Sequence, residues 1–201
     1  MKKTKLERLK RAIQKPFEKE RFRLYIDTSH CNLRCVMCPR GGVNGLKNEG
    51  MGLMDFELFK GIIDKLVKEK ISINGLGFGN SGEPLLNPAL PKMIKYAVDT
   101  LQPAFMEPKG KIKITTNLNH LIDPVGLLGS GVTNIIVSNS GMTQDVYSRN
   151  HKGGKIESVL KNIKELADIK KSRNMHDVAL EMIFHDLVYN KEDAGQARQF
   201  C

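Results

Sequence analysis

The chain has no apolar run long enough to cross a bilayer, no tryptophan, few aromatic residues of any kind (6%) and only four cysteines in 201 residues. The missing apolar run argues against a spanning helix. The N-terminus is too charged, and too poor in apolar residues, to act as a secretory signal. Both absences point to the cytoplasm, where thiols stay reduced and structural disulfides are rare. Three of the cysteines are clustered and cannot all pair; the other half of a disulfide would have to be distant Cys201. The aromatic interleaving expected of an RNA-stacking surface is absent, so nucleic acid is a disfavoured partner despite a formal charge of +10.

That charge is unevenly placed. Residues 1–23 hold ten Lys/Arg against three Glu. Leu6, Leu9, Ile13 and Phe17 recur every three or four positions, which predicts a basic amphipathic helix over 1–20. The simplest reading of such a helix is a solvated cap on the bottom of a barrel. Contact with RNA, an anionic membrane surface or an acidic electron donor such as flavodoxin are the alternatives. The remaining residues, 21–201, are one domain's worth of chain, long enough for a substantial core.

From residue 22 onward strand-like and helix-like stretches alternate. Residues 22–28 are β-prone, and residues 55–70 put Phe56, Phe59, Ile62, Ile63, Leu66 and Val67 on one helical stripe. A strand is predicted over 71–78, then a helix marked by Leu90, Met93, Ile94 and Ala97, then a loop over 101–110 containing Pro103 and Pro108. Next come a strand at 111–116, a short helix at 118–128 and a strand at 132–138, apolar enough for burial on both faces. The longest helical stripe spans 155–173; a fifth strand at 178–184 follows, then a last helix that Asn190 would cap with Asp193 nearby. Strand–helix alternation of this kind requires an α/β fold with a mostly parallel sheet and right-handed crossovers. Each candidate motif falls just after a strand, at the carboxyl edge where ligands bind in such folds.

The clustered cysteines sit in Cys31-Asn32-Leu33-Arg34-Cys35-Val36-Met37-Cys38, with gaps of three residues and then two. Such a loop can converge three thiolates and supplies no fourth. Cysteine-ligated [4Fe–4S] clusters usually take four thiolates. Three would leave one iron open, and an open position is where a metal site does chemistry. Zinc, with His30 or a distant residue as fourth ligand, is the alternative, although structural zinc normally shows two paired ligand motifs.

The Cys-x3-Cys-x2-Cys spacing resembles the signature of the radical S-adenosylmethionine (SAM) enzymes, with Thr28-Ser29-His30 leading in and Pro39-Arg40-Gly41-Gly42 leading out. Gly82-Glu83-Pro84 is similar to the family's "GEP" segment. Thr115-Thr116-Asn117 resembles the end of its third strand, and Ile136-Val137-Ser138 the end of its fourth. The resemblance narrows the fold to a partial, TIM-like (β/α) barrel of about five parallel strands, where the family usually has six. Within the superfamily the cysteine loop looks most like the SPASM-type branch, whose members modify peptides, sugars or other small molecules. The cysteine-rich C-terminal extension of that branch is not in this sequence, so the expectation is a C-terminally short core. A sheet edge exposed by a missing sixth strand would be covered by a partner chain or a dimer.

The resemblance implies a [4Fe–4S] cluster held by Cys31, Cys35 and Cys38, with SAM chelated at the open iron. A reduced flavodoxin or ferredoxin-type protein would supply the electron. Reductive cleavage of SAM would yield a 5′-deoxyadenosyl radical that abstracts hydrogen from an unidentified substrate. Gly82, Glu83 and Pro84 would approach the methionine ammonium, and Asn117 and Ser138 would meet a hydroxyl or carboxylate. Met37 would lie against adenine, where the family often has an aromatic residue. Asn190 resembles a polar position that some members use near SAM. The rival expectation is a non-catalytic cluster- or SAM-binding remnant that needs a partner chain. Cys201 is read as a spare thiol, with an auxiliary-cluster ligand the remote alternative; His120, His151, His176 and His185 are scattered, and a strand-end histidine such as His185 is read as structural, with substrate contact the alternative.

Overall fold

In the strand Asn134–Asn139 the apolar residues Ile135, Ile136 and Val137 are all buried, together with the asparagines at its two ends. The structure, a computed structural model, describes residues 22–40, 52–101 and 106–201. The basic helix expected over 1–20 lies outside them. In chain order the described elements are β1 (Phe22–Ile26), α1 (Phe56–Lys68), β2 (Ile73–Phe78), a 3-10 turn (Pro84–Leu86), α2 (Leu90–Leu101), β3 (Met106–Thr116), α3 (Pro124–Gly129), β4 (Asn134–Asn139), α4 (Gln144–Asn150), α5 (Ile156–Ser172), β5 (Ala179–Phe184) and α6 (Lys191–Phe200).

The strands form one sheet in the order β1-β2-β3-β4-β5, with every neighbouring pair parallel. Sequential order with right-handed crossovers sends the connecting helices to one face and leaves the other facing the interior of an open barrel. This is the expected partial barrel. On the helical side, Phe59 and Ile63 of α1, Met93 and Ile94 of α2 and Val159 and Leu166 of α5 are buried in one core with Leu76, Ile114 and Val137 of the sheet. Full burial of each such side chain is worth roughly 1.5–3 kcal/mol. Asp55 starts α1 by accepting the Leu58 amide at 2.8 Å. The same helix ends where Ile71 N–H reaches Leu66 C=O at 2.8 Å and Lys70 N–H reaches Val67 C=O at 3.1 Å, with Lys70 at φ 56°. That pair of bonds is a Schellman motif.

Two expectations need correction, and one helix was not expected. β3 begins at Met106, inside the segment expected to be loop. The register against β2 slips between Ile73 and Gly75, so the stretch holding Pro108 lies at an irregularity where a missing N–H costs nothing. The helix expected from 118 is confined to Pro124–Gly129. Leu118 has a left-handed φ of 51°, and the helix starts only where Asp123 accepts the Gly126 amide at 2.8 Å and Pro124 fills the first turn. Helix α4 was not foreseen, because Tyr147 is its only buried apolar residue and so short a segment shows no stripe.

β5 is an edge of the described sheet, and Ile183 on it is 47% exposed. Among the described residues no helix is long and apolar enough to cross a membrane.

Candidate functional site

At the carboxyl ends of the five strands lies a cavity of about 390 Å³, bordered by the cysteine loop, the loop after β2 and the ends of β3, β4 and β5. Cys31, Cys35 and Cys38 all line it. The loop carrying them is anchored from opposite sides. On one side, Glu83 N–H donates to His30 C=O at 2.9 Å, just before the first cysteine. On the other, the segment ending α4 accepts three amides: Arg34 N–H to Lys152 C=O at 3.0 Å, Val36 N–H to Asn150 C=O at 2.9 Å, and Met37 N–H to the Asn150 side-chain oxygen at 3.2 Å. Cys38 N–H closes a turn onto Cys35 C=O at 3.1 Å.

Burial pushes the Cys35 thiol up to about 12, helped by the charges of Cys31 and Cys38; burial also raises Cys31. Three thiolates crowded on one cavity are unfavourable alone and become favourable on metal, which deprotonates a coordinating thiol outright. A single zinc ion would need sulfurs about 4 Å apart, given Zn–S bonds of roughly 2.3 Å. A cubane instead places each thiolate on a different iron and tolerates wider spacing. Three cysteine donors without a fourth thiolate fit an iron–sulfur cluster that keeps one iron open.

The loop after β2 is folded around a buried carboxylate. Glu83 is 1% exposed, and it accepts from Thr116 Oγ1 at 2.7 Å, Asn117 N–H at 2.7 Å and Leu85 N–H at 3.0 Å. Burial nonetheless dominates and raises its pKa to about 7. Ser29 Oγ donates to the Glu83 carbonyl. Gly82 has no room for a side chain, since a Cβ there would meet Ser29 C=O at 2.1 Å. Gly79 combines a φ of 84° with a Cβ position 2.1 Å from Thr115 C=O. These glycines let the β2 loop touch both the chain entering the cysteine loop and the end of β3.

The expected residues separate into two groups. Met37, Gly82, Glu83, Asn117 and Ser138 line the cavity with the cysteines. Asn117 Nδ2 contacts Cys31 Sγ at 3.8 Å and Asn32 Oδ1 at 2.9 Å, and Ser138 Oγ pairs with His185 Nε2 at 2.8 Å. Pro84 and Asn190 are not among the lining residues. Pro84 opens the 3-10 turn behind the loop. Asn190 is 2% exposed, and its side chain is spent on backbone: it donates to Ser140 C=O and His185 C=O, both at 2.8 Å, and accepts from Leu187 N–H at 2.7 Å. It occupies the N-cap position of α6 without a side-chain capping bond, and Asp193 turns to Met142 N–H at 2.6 Å instead.

Sequence reasoning missed a buried polar network behind the cavity. Asn119 donates to Tyr147 OH at 2.7 Å and accepts from Lys155 N–H at 2.6 Å. The Tyr147 ring stacks on His151 at 4.5 Å, and His151 Nδ1 pairs with Ser140 Oγ at 2.8 Å. Burial pulls His151 down to about 4 and lowers His185, so both histidines on the cavity wall are neutral at pH 7. No local signal marks these residues, since the network crosses from β3 to α4 and β4. A second cleft, of about 480 Å³ between α5, β5 and α6, has Cys201 on its rim and no second cysteine.

Comparison with known proteins resolves the family. Residues 25–186 match the radical SAM superfamily. The chain belongs to that superfamily. A curated relative, the probable GTP 3′,8-cyclase of Methanocaldococcus jannaschii, is 26% identical over 177 residues, 87% of this chain and 52% of the relative. The chain thus spans about half the length of the curated relatives it matches. BtrN in complex with AdoMet and 2-DOIA superposes with a TM-score of 0.56 at 23% identity, over 82% of this chain and 58% of BtrN. SuiB of Streptococcus suis gives 0.63 at 13% identity, over 90% of this chain and 37% of SuiB. At such identities these likenesses establish the radical SAM fold. Membership in the superfamily carries the expectation of SAM and an iron–sulfur cluster.

Proposed function

We propose that this chain is the core of a radical SAM enzyme, with Cys31, Cys35 and Cys38 as ligands of a [4Fe–4S] cluster. The observation that carries this reading is the meeting of three thiols with Gly82, Glu83, Asn117 and Ser138 around one cavity. When bound, the cluster and SAM supply reductive cleavage to a 5′-deoxyadenosyl radical that takes hydrogen from substrate.

The chain's own residues hold and orient. The Asn117 amide beside Cys31 steadies the first thiolate. The loop 79–83 presents backbone groups to the methionine end of SAM, held in place by the inward-turned Glu83. Arg34 and Arg40 also line the cavity, and among the described lining residues Glu83 alone carries a carboxylate. The Arg34 guanidinium would favour an anionic group there, such as the SAM carboxylate. Ser138 and His185 form the polar wall at β4 and β5, and Met37 lies on the solvent side at 51% exposed. A reduced flavodoxin or ferredoxin-type donor and a cytoplasmic location complete the reading.

The decisive experiment is anaerobic reconstitution with iron and sulfide, followed by dithionite and SAM and mass detection of 5′-deoxyadenosine. The parent protein is expected to release it and Cys35→Ala is not. GTP is the first substrate to assay, on the naming of the curated relatives. A cluster that binds SAM yet releases no 5′-deoxyadenosine would favour the second reading, a core completed by a partner chain. The exposed edge strand β5 is the observation behind that alternative.

A further inference from the structure

Between Cys35 and Cys38 the chain has two backbone amides, those of Val36 and Met37, and both are claimed by one residue. Val36 N–H donates to Asn150 C=O at 2.9 Å, and Met37 N–H donates to Asn150 Oδ1 at 3.2 Å. Asn150 is itself 2% exposed, ends α4 and lines the cavity. Its neighbour two residues on, Lys152, accepts Arg34 N–H at 3.0 Å. Three consecutive non-cysteine amides of the ligand loop, at 34, 36 and 37, are thus drawn toward a wall that carries no metal ligand.

We infer that Asn150 is a positioning residue for the iron–sulfur cluster, fixing the ligand loop and keeping the Val36 and Met37 amides away from cluster sulfur. Hydrogen bonds to cluster sulfurs stabilise the more negative, reduced form and raise the reduction potential. Turning amides away has the opposite effect and favours a strongly reducing cluster. The Oδ1 bond is the adjustable half, because it depends on the side chain, whereas the Val36 bond reaches a backbone carbonyl that any residue supplies. This role rests on the proposed cluster reading and adds to it a residue 112 positions beyond the last ligand, on a helix that itself contributes no ligand.

The test compares the parent with Asn150→Leu, which matches the side chain in size and lacks the acceptor, and with Asn150→Asp, which keeps it. Each protein is reconstituted anaerobically. The midpoint potential is read by EPR-monitored redox titration, and cluster loss by the decay of iron–sulfur absorbance in excess EDTA. Asn150→Leu is expected to move the potential to a less negative value and to lose its cluster several-fold faster. Asn150→Asp is expected to retain the cluster at the parental rate, with a potential no higher than the parent's. If Asn150→Leu does not fold, Asn150→Ser, too short to reach Met37 N–H, takes its place with the same expected result. A folded Leu or Ser variant with parental potential and parental cluster lifetime would overturn the role of Asn150 while leaving the cluster itself established. A parent protein that assembles no cluster would overturn both this role and the function on which it rests.

Discussion

The carboxylate of Glu83 accepts the backbone amide of Asn117 at 2.7 Å, tying the loop after β2 to the end of β3 from inside the protein. This one contact joins two of the segments that border the cavity. It also makes Glu83 a buried acid whose ionisation is linked to folding.

Stability should therefore depend on pH through Glu83. Its folded pKa, about 7, lies above the ordinary 4.5 because of burial, so the native state holds the proton more tightly than the unfolded chain. The two states bind it equally below the lower value. Stability falls as pH rises between the two, and the loss is complete above the higher. At about 1.4 kcal/mol per unit the effect is on the order of 3 kcal/mol. His151 and His185, lowered by burial, slope the other way, but they do so equally in a Glu83→Gln variant. Urea unfolding of both cluster-free proteins at pH 5 and pH 8 should show the parent losing about 3 kcal/mol relative to the variant. A stability difference that does not change with pH would remove Glu83 as the source.

Gly82→Ala should destabilise the site region. The new methyl would sit 2.1 Å from Ser29 C=O, a backbone atom that cannot move without shifting the chain into the cysteine loop. Overpacking of this kind costs typically 1–3 kcal/mol, or a melting temperature lower by about 2–12 °C for a chain of this size. Calorimetry of the variant checks it; an unchanged melting temperature would mean that the two loops are not in contact.

Asn119→Ala should cost more than Tyr147→Phe. The first leaves the hydroxyl of Tyr147, a 0% exposed residue, and the Lys155 amide without their partner. The second removes only the hydroxyl, and Asn119 Nδ2 keeps its bond to Asn117 C=O at 3.1 Å. An orphaned buried polar group costs about 1–3 kcal/mol, whereas a lost neutral hydrogen bond costs about 1. Chemical denaturation of the pair gives the order directly, and the reverse order would contradict this network.

Lys70→Gly should stabilise the protein. Lys70 holds a left-handed φ of 56° in the Schellman turn that ends α1, and it is exposed there. Removing the side chain relieves a strain of roughly 1–2 kcal/mol, partly offset by the greater freedom of glycine in the unfolded chain. A net gain of about 0.5–1 kcal/mol is expected by urea titration, and a loss would show that Lys70 makes a stabilising contact elsewhere.

What could be read from the amino acids alone was whatever is local. The stripe of α1, the apolar run of β4 and the spacing of Cys31, Cys35 and Cys38 are each written within a few residues. They sufficed for a parallel α/β sheet, for a site at its carboxyl edge and for the resemblance that the family match bears out. Where a local pattern was missing or broken, as at Leu118, at α4 and around Pro108, the reading missed or displaced an element. Backbone handedness, short helix length and register slips leave little periodic trace.

The tertiary structure decided everything that depends on contact between distant segments. Nothing near residue 83 shows that its carboxylate turns inward to β3, and nothing near residue 150 shows that it takes two amides from between the second and third cysteines. It also separated Asn190, whose side chain is occupied by the backbone at Ser140, His185 and Leu187, from the residues that line the cavity. Sequence spacing names donors and acceptors, but a buried polar group must find its partner in space, and only the packed fold assigns the pairs.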